Sequence, residues 1–189
     1  MYSFFYSIFF ILKRKEKQIG DKQDYRVKLI RWLLGYIEAY YNLLVIKLYD
    51  IFPCKRVGIK KIKREQKIIV SLTTFPKRID SVWITIETLL RQTVKPDEVI
   101  LWLAKQQFDD LNVLPQKLLD LQRRGLTIRF CDDLRSHKKY FYVMQEYPKD
   151  IIVLVDDDMF YPKDTINKLI KMHKKYQYSD NNIDIFLLC

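Results

Sequence analysis

Apolar and polar positions follow two different rhythms along this chain, and the change comes near residue 67. Before it the rhythm is helical. Residues 1–12 are almost wholly apolar, broken only by Ser3 and Ser7. Residues 24–52 carry Lys28, Arg31, Gly35, Glu38 and Asn42 at spacings of three and four, which predicts one long helix with a polar stripe and a wide apolar face. Pro53 ends it. From Ile68 onward, short apolar runs alternate with amphipathic stretches. Strands are predicted at 68–72, 98–103, 126–131, 151–155 and 183–188. Helices are predicted between them: one capped by Asp80 or Ser81 and running to Thr93, one opening at Leu114-Pro115 and stopping at Gly125, one over 136–147, and one capped by Asp164 and running to Tyr176. Repeated strand–helix–strand units imply an α/β fold, a mostly parallel sheet with helices on both faces, preceded by the long amphipathic helix.

The most informative stretch is the fourth strand. Ile151-Ile152-Val153-Leu154-Val155 runs straight into Asp156-Asp157-Asp158. An unbroken apolar, mostly β-branched run suits a strand buried on both faces, and its carboxyl end is where open α/β sheets bind ligands. Adjacent carboxylates repel, and a divalent cation that also binds a phosphate would offset the cost. On an extended backbone Asp156 and Asp158 would point to the same side. The plain alternative is a solvated acidic turn with an Asp as helix cap. Thr73, Thr74, Lys77 and Arg78 follow the first strand, and Lys138 and Lys139 follow the third, so hydroxyls and cations are expected at the same sheet edge.

Composition narrows the partners. The chain has 189 residues, is 49% hydrophobic and carries a net charge of +11. That charge calls for an anionic partner: a phosphorylated ligand, a lipid face or nucleic acid. Much of it lies in residues 55–67, read as a basic linker between residues 1–54 and a domain over 68–189, or as a patch facing anionic lipid. The segment has no interleaved aromatics and no nucleic-acid reading motif, so nucleic acid is not the expected partner. Twelve apolar residues of helix would span about 18 Å, short of the roughly 30 Å hydrocarbon core. The charges Lys13, Arg14 and Lys15 follow the apolar run, the reverse of a cleaved signal. Residues 1–52 are therefore expected to sit shallowly on lipid or to pack on protein. Three scattered cysteines, Cys54, Cys131 and Cys189, give neither a disulfide framework nor a zinc site and favour a reducing compartment. His137 and His173 have no partner at metal-ligand spacing, and the lysine-rich surroundings of His173 predict exposure. No GxSxG, P-loop or GxGxxG is present.

The stretches 68–79 (IIVSLTTFPKRI), 85–93 (TIETLLRQT), 95–103 (KPDEVILWL) and 155–158 (VDDD) together resemble bacterial glycosyltransferases of the GT-A type, close to family 2. The resemblance covers about residues 67–176. It implies a Rossmann-like nucleotide-sugar half, Mn²⁺ or Mg²⁺ as cofactor, and transfer of a sugar from a UDP- or GDP-sugar donor to a glycan or lipid-linked acceptor in surface polysaccharide synthesis. By resemblance Asp156 and Asp158 hold the metal and the donor diphosphate, Asp157 approaches the donor sugar or ribose, and Thr73, Thr74 and Arg78 line the nucleotide pocket; Lys139 is a further candidate contact from its place after the third strand. The family often places an Asp after the second strand to hold the base. Here Leu101-Trp102-Leu103-Ala104 has none, and Asp132 or Asp133 is expected instead. The family's acceptor half and general base would lie beyond Cys189, so a truncated fragment or a non-catalytic, membrane-associated subunit is the alternative. A nucleotidyltransferase is less expected, because residues 73–78 contain no glycine. The expected location is cytoplasmic, at the inner face of the inner membrane.

Overall fold

The computed structural model describes residues 25–60, 64–176 and 185–187. The expectations for residues 1–12, for the outer residues of the fifth strand and for Cys189 lie outside them. The chain divides into two compact units, Met1–Lys55 and Arg56–Cys189.

The first unit contributes α1, Tyr25–Ile51, a helix of 27 residues. Leu29, Trp32, Tyr36, Tyr40 and Leu43 on it are exposed. Their spacing of three and four puts them on one stripe. No described helix is long and apolar enough to cross a membrane.

The second unit is α/β. Its strands are β1 (Ile68–Thr73), β2 (Glu98–Ala104), β3 (Leu126–Cys131), β4 (Ile151–Leu154) and β5 (Ile185–Leu187). All pairings are parallel, in the order β3-β2-β1-β4-β5. Register is fixed by pairs such as Val70 with Val99 and Val70 with Val153. The central strands are buried on both faces, as their continuous apolar runs require. The helices are α2 (Val82–Leu90), α3 (Gln116–Asp120), α4 (Lys138–Glu146) and α5 (Thr165–Tyr176). One sheet face packs Ile69, Ile100, Trp102, Ile152 and Leu154 against Val143 of α4. The alternate residues, such as Val70, Leu72, Leu101 and Val153, are buried on the opposite face, where α2 lies against β2.

Several boundaries shift from expectation, for local reasons. The helix expected to open at Pro115 is α3 followed by a tighter 3₁₀ turn, Leu121–Arg124, and it stops at Gly125 with φ +115°. The helix expected from Ser136 begins as a 3₁₀ turn, Arg135–His137, in which Arg135 has φ +54°. Ser81 does occupy the cap position of α2, but its hydroxyl donates to the Arg78 carbonyl rather than capping the helix. His173 is buried, not exposed. It lies seven residues after buried Ile166, two turns along the same face of α5.

The basic segment does not run freely into the α/β unit. Gly58 N–H donates to the Arg124 carbonyl at 2.8 Å, and Lys60 N–H to the Pro96 carbonyl at 2.7 Å. The Arg124 guanidinium donates to the Arg56 carbonyl at 3.0 Å, and Lys95 to the Val57 carbonyl. Arg64 donates to the Lys95 carbonyl and pairs with Asp97 at 3.1 Å. These partners precede β2 and β3, so the strap lies at the amino edge of the sheet. Asp97 and Asp150 complete that edge by accepting from the backbone amides of Ile68 and Lys67, each at 2.8 Å.

Candidate functional site

β1 through β3 wind outward in one direction, and β4 and β5 in the other. Strand order reverses between β1 and β4, and the crevice beside the carboxyl ends at such a reversal is where α/β sheets take ligands. Thr74 and Arg78 follow β1 there, and Asp156, Asp157 and Asp158 follow β4. β4 ends at Leu154 and the chain turns at Asp157–Asp158, so the alternation of an extended strand does not extend across the three carboxylates.

Each carboxylate takes its own position. Asp157 is buried, at 7% exposure. Its carboxylate accepts from the Thr74 hydroxyl at 2.6 Å and from the Arg78 guanidinium at 2.6 Å. Arg78 also reaches Asp158 at 3.0 Å. The hydrogen bond to Asp157 raises the Arg78 pKa above its ordinary value. Asp156 accepts from the Lys139 ammonium at 2.7 Å. Asp156 and Asp158 stay partly open, with 37% and 49% of their side chains exposed. The structure thus joins Thr74, Arg78, Lys139 and the three Asp residues into one cluster. It leaves Thr73 beside it, with a hydroxyl that donates to the Trp102 carbonyl at 2.8 Å.

Asp132 and Asp133 lie after β3, two strands from the crevice. Asp132 is exposed. Asp133 is the more firmly held of the pair, accepting from Lys138 at 2.7 Å, Gln107 at 2.8 Å and the Arg135 amide at 2.9 Å. The Lys138 hydrogen bond, followed by that of the Arg135 amide, holds the Asp133 pKa below its ordinary value. Lys138 is itself buried. Burial pushes the Cys131 thiol up.

Beside its apolar residues α2 carries a buried polar stripe. Thr85, Thr88 and Gln92 recur at i, i+3 and i+7, which puts them on one helical face. Thr85 donates to the Asp157 carbonyl at 2.9 Å. The Thr88 hydroxyl accepts from the Tyr161 amide at 3.2 Å. Gln92, just past the helix, donates to the Pro162 carbonyl at 2.7 Å and accepts from the Ile166 amide at 3.1 Å. The Tyr161 hydroxyl in turn accepts from the Asp156 amide at 2.9 Å. α2 is therefore the splint that holds residues 156–166 in shape. The signal was present in the sequence as a polar periodicity inside an apolar helix.

Among the described residues, no group of three or more His, Cys, Asp or Glu side chains is disposed to hold a metal ion. Asp156 and Asp158 each face a cation, Lys139 at 2.7 Å and Arg78 at 3.0 Å, and a Mg²⁺-type ion would need only one or two carboxylates beside water and phosphate oxygens. Asp156 and Asp158 are the carboxylates of the cluster that stay partly open.

The class defined by the fold is an α/β domain with a parallel sheet and flanking helices, consistent with a Rossmann-like arrangement. No family model matches the chain, and no curated protein matches it in sequence.

Proposed function

We propose that the β1–β4 crevice binds the diphosphate of a nucleotide sugar and that the protein transfers the sugar to a glycan or lipid-linked acceptor. The observation that carries this reading is the cluster of Thr74, Arg78, Lys139 and three carboxylates at the point where strand order reverses. Cations and carboxylates interleaved at such a point suit a ligand that brings both negative charge and a bound cation. The fold alone would not carry the reading, since similar sheets host many chemistries.

In this reading Asp156 and Asp158 would hold Mn²⁺ or Mg²⁺. The cation would neutralise charge on the diphosphate as the sugar departs. Arg78 and Lys139 supply fixed positive charge at the crevice. Asp157 gives its carboxylate to Thr74 and Arg78, so its part is to aim Arg78 rather than to touch the sugar. Asp132 would stand at the nucleobase end. The exposed aromatic stripe of α1 suits peripheral docking on an anionic cytoplasmic lipid face, where aromatic bodies and polar tips are both satisfied.

The test is calorimetric titration of UDP and of GDP into the protein with and without Mn²⁺. Metal-dependent binding is expected, and Asp156→Ala and Asp158→Ala should abolish it. Failure of both nucleotides to bind folded protein would overturn the reading. Binding without turnover of any donor sugar would instead favour a non-catalytic donor-binding subunit.

A further inference from the structure

Ser71 lies in the middle of β1, wholly buried at 0% exposure. Around it the sheet face under α4 is apolar: Ile69, Ile100, Ile152, Leu154 and Val143. A hydroxyl in such a place costs stability unless it is fully bonded, and alanine would fill the position without that cost. The hydroxyl is bonded at both ends. It accepts the Trp102 indole N–H at 3.0 Å and donates to the Lys139 backbone carbonyl at 2.5 Å. A hydroxyl has one proton, and with the indole donating into the oxygen that proton is directed at Lys139.

Trp102 is fixed as well. Its ring stacks on Tyr142 of α4 at 5.3 Å, and the Arg129 guanidinium lies 5.4 Å from the ring. α4 is thus fastened to the sheet at two points, Tyr142 and, in its first turn, the backbone of Lys139. The side chain of that residue reaches Asp156 at 2.7 Å and is 16% exposed. We propose that Ser71, oriented by Trp102, is a positioning residue that fixes where the Lys139 ammonium stands beside Asp156, and that an anionic diphosphate meets Lys139 at that fixed place. The second half rests on the donor-site reading; the first half does not.

The experiment uses the full chain and the double variant Ser71→Ala/Trp102→Phe, which removes the hydroxyl without leaving a buried indole N–H unbonded. Lysine ammonium groups are followed by ¹H–¹⁵N NMR, with Lys139→Met assigning the signal. The wild-type Lys139 ammonium should give a resolved signal from its ion pair. In the double variant that signal should broaden or vanish while the Lys138 signal persists. An unchanged Lys139 signal would overturn the proposal. UDP and GDP are then titrated in the presence of Mn²⁺. The double variant should bind roughly fivefold more weakly than wild type, and add no loss in a Lys139→Met background. The same loss in both backgrounds would mean a merely structural role and would also overturn it. If wild type binds neither nucleotide, the donor-site reading falls, and the ammonium spectra alone decide the positioning role of Ser71.

Discussion

Asp157 and Asp158 are neighbours with opposite situations. Asp157 is buried on Thr74 and Arg78, while Asp158 meets the same Arg78 from a half-open position. Removing a buried acceptor strands its donors, whereas an exposed pair contributes little. Asp157→Ala should therefore lower unfolding free energy by about 1–3 kcal/mol, and Asp158→Ala by less than about 1 kcal/mol. Urea denaturation of both variants checks this, and equal losses would contradict the assignment. Tyr147 offers a test by pH. Burial, and then the hydrogen bond to Glu98, pushes its hydroxyl up to about 12. A raised value means that the folded state holds its proton more tightly. The stabilisation is present below the ordinary value near 10 and is lost as pH rises from there toward 12. Tyr147→Phe should show a shallower loss of stability over that window. The sequence placed all three carboxylates at the carboxyl end of the fourth strand, where the structure has them. It could not show which one turns inward, because that depends on β4 ending at Leu154 rather than continuing through the acids.

Among the elements, β1 to β4 and α2 to α5 follow from apolar periodicity, and Gly125 as a helix stop follows from its missing side chain. Periodicity could not reveal what the basic segment does, since lysines and arginines look solvated in any pattern. Apart from the Arg64 side chain, which pairs with Asp97, the segment is attached mainly through its own backbone amides and carbonyls, which carry no side-chain signature. Two glycines make the close approach feasible. A Cβ on Gly58 would stand 2.5 Å from the Leu90 Cβ and 2.7 Å from the Leu90 carbonyl oxygen. A Cβ on Gly125 would meet Ile59 at 2.5 Å, at a φ of +115° that side chains rarely adopt. Gly125→Ala should cost about 1–2 kcal/mol from backbone conformation alone, with the Ile59 contact adding to it. Gly58→Ala should lower the thermal midpoint by displacing the strap from Leu90. Thermal unfolding of both variants, with limited proteolysis after Arg56, reads the effect. A strap as protease-resistant as that of wild type would count against the attachment.

At the scale of the molecule, the parallel sheet separates two edges. The amino edge is closed by the strap and by Asp97 and Asp150. The carboxyl edge carries the charged cluster. The net charge of +11 and the exposed stripe of α1 bear on the proposed lipid contact. The protein should sediment with vesicles containing phosphatidylglycerol, and less so as salt screens the attraction. Trp32→Ala/Tyr36→Ala should weaken sedimentation without altering nucleotide titrations. Equal binding to neutral vesicles at high salt would argue for an apolar contact alone. The topology has one more consequence, in the order of assembly. Asp157 lies 83 residues after Thr74 and 79 after Arg78. β1, β2 and β3 can pair through successive short crossovers, but the crevice requires β4 to return beside β1 across the largest loop in the sheet. Closing a longer loop carries a larger entropy loss and slows the search for the contact. The β1–β4 junction is therefore expected to close after β1, β2 and β3 have paired, and nucleotide capture followed during refolding would act as a clock that starts only when β4 has docked.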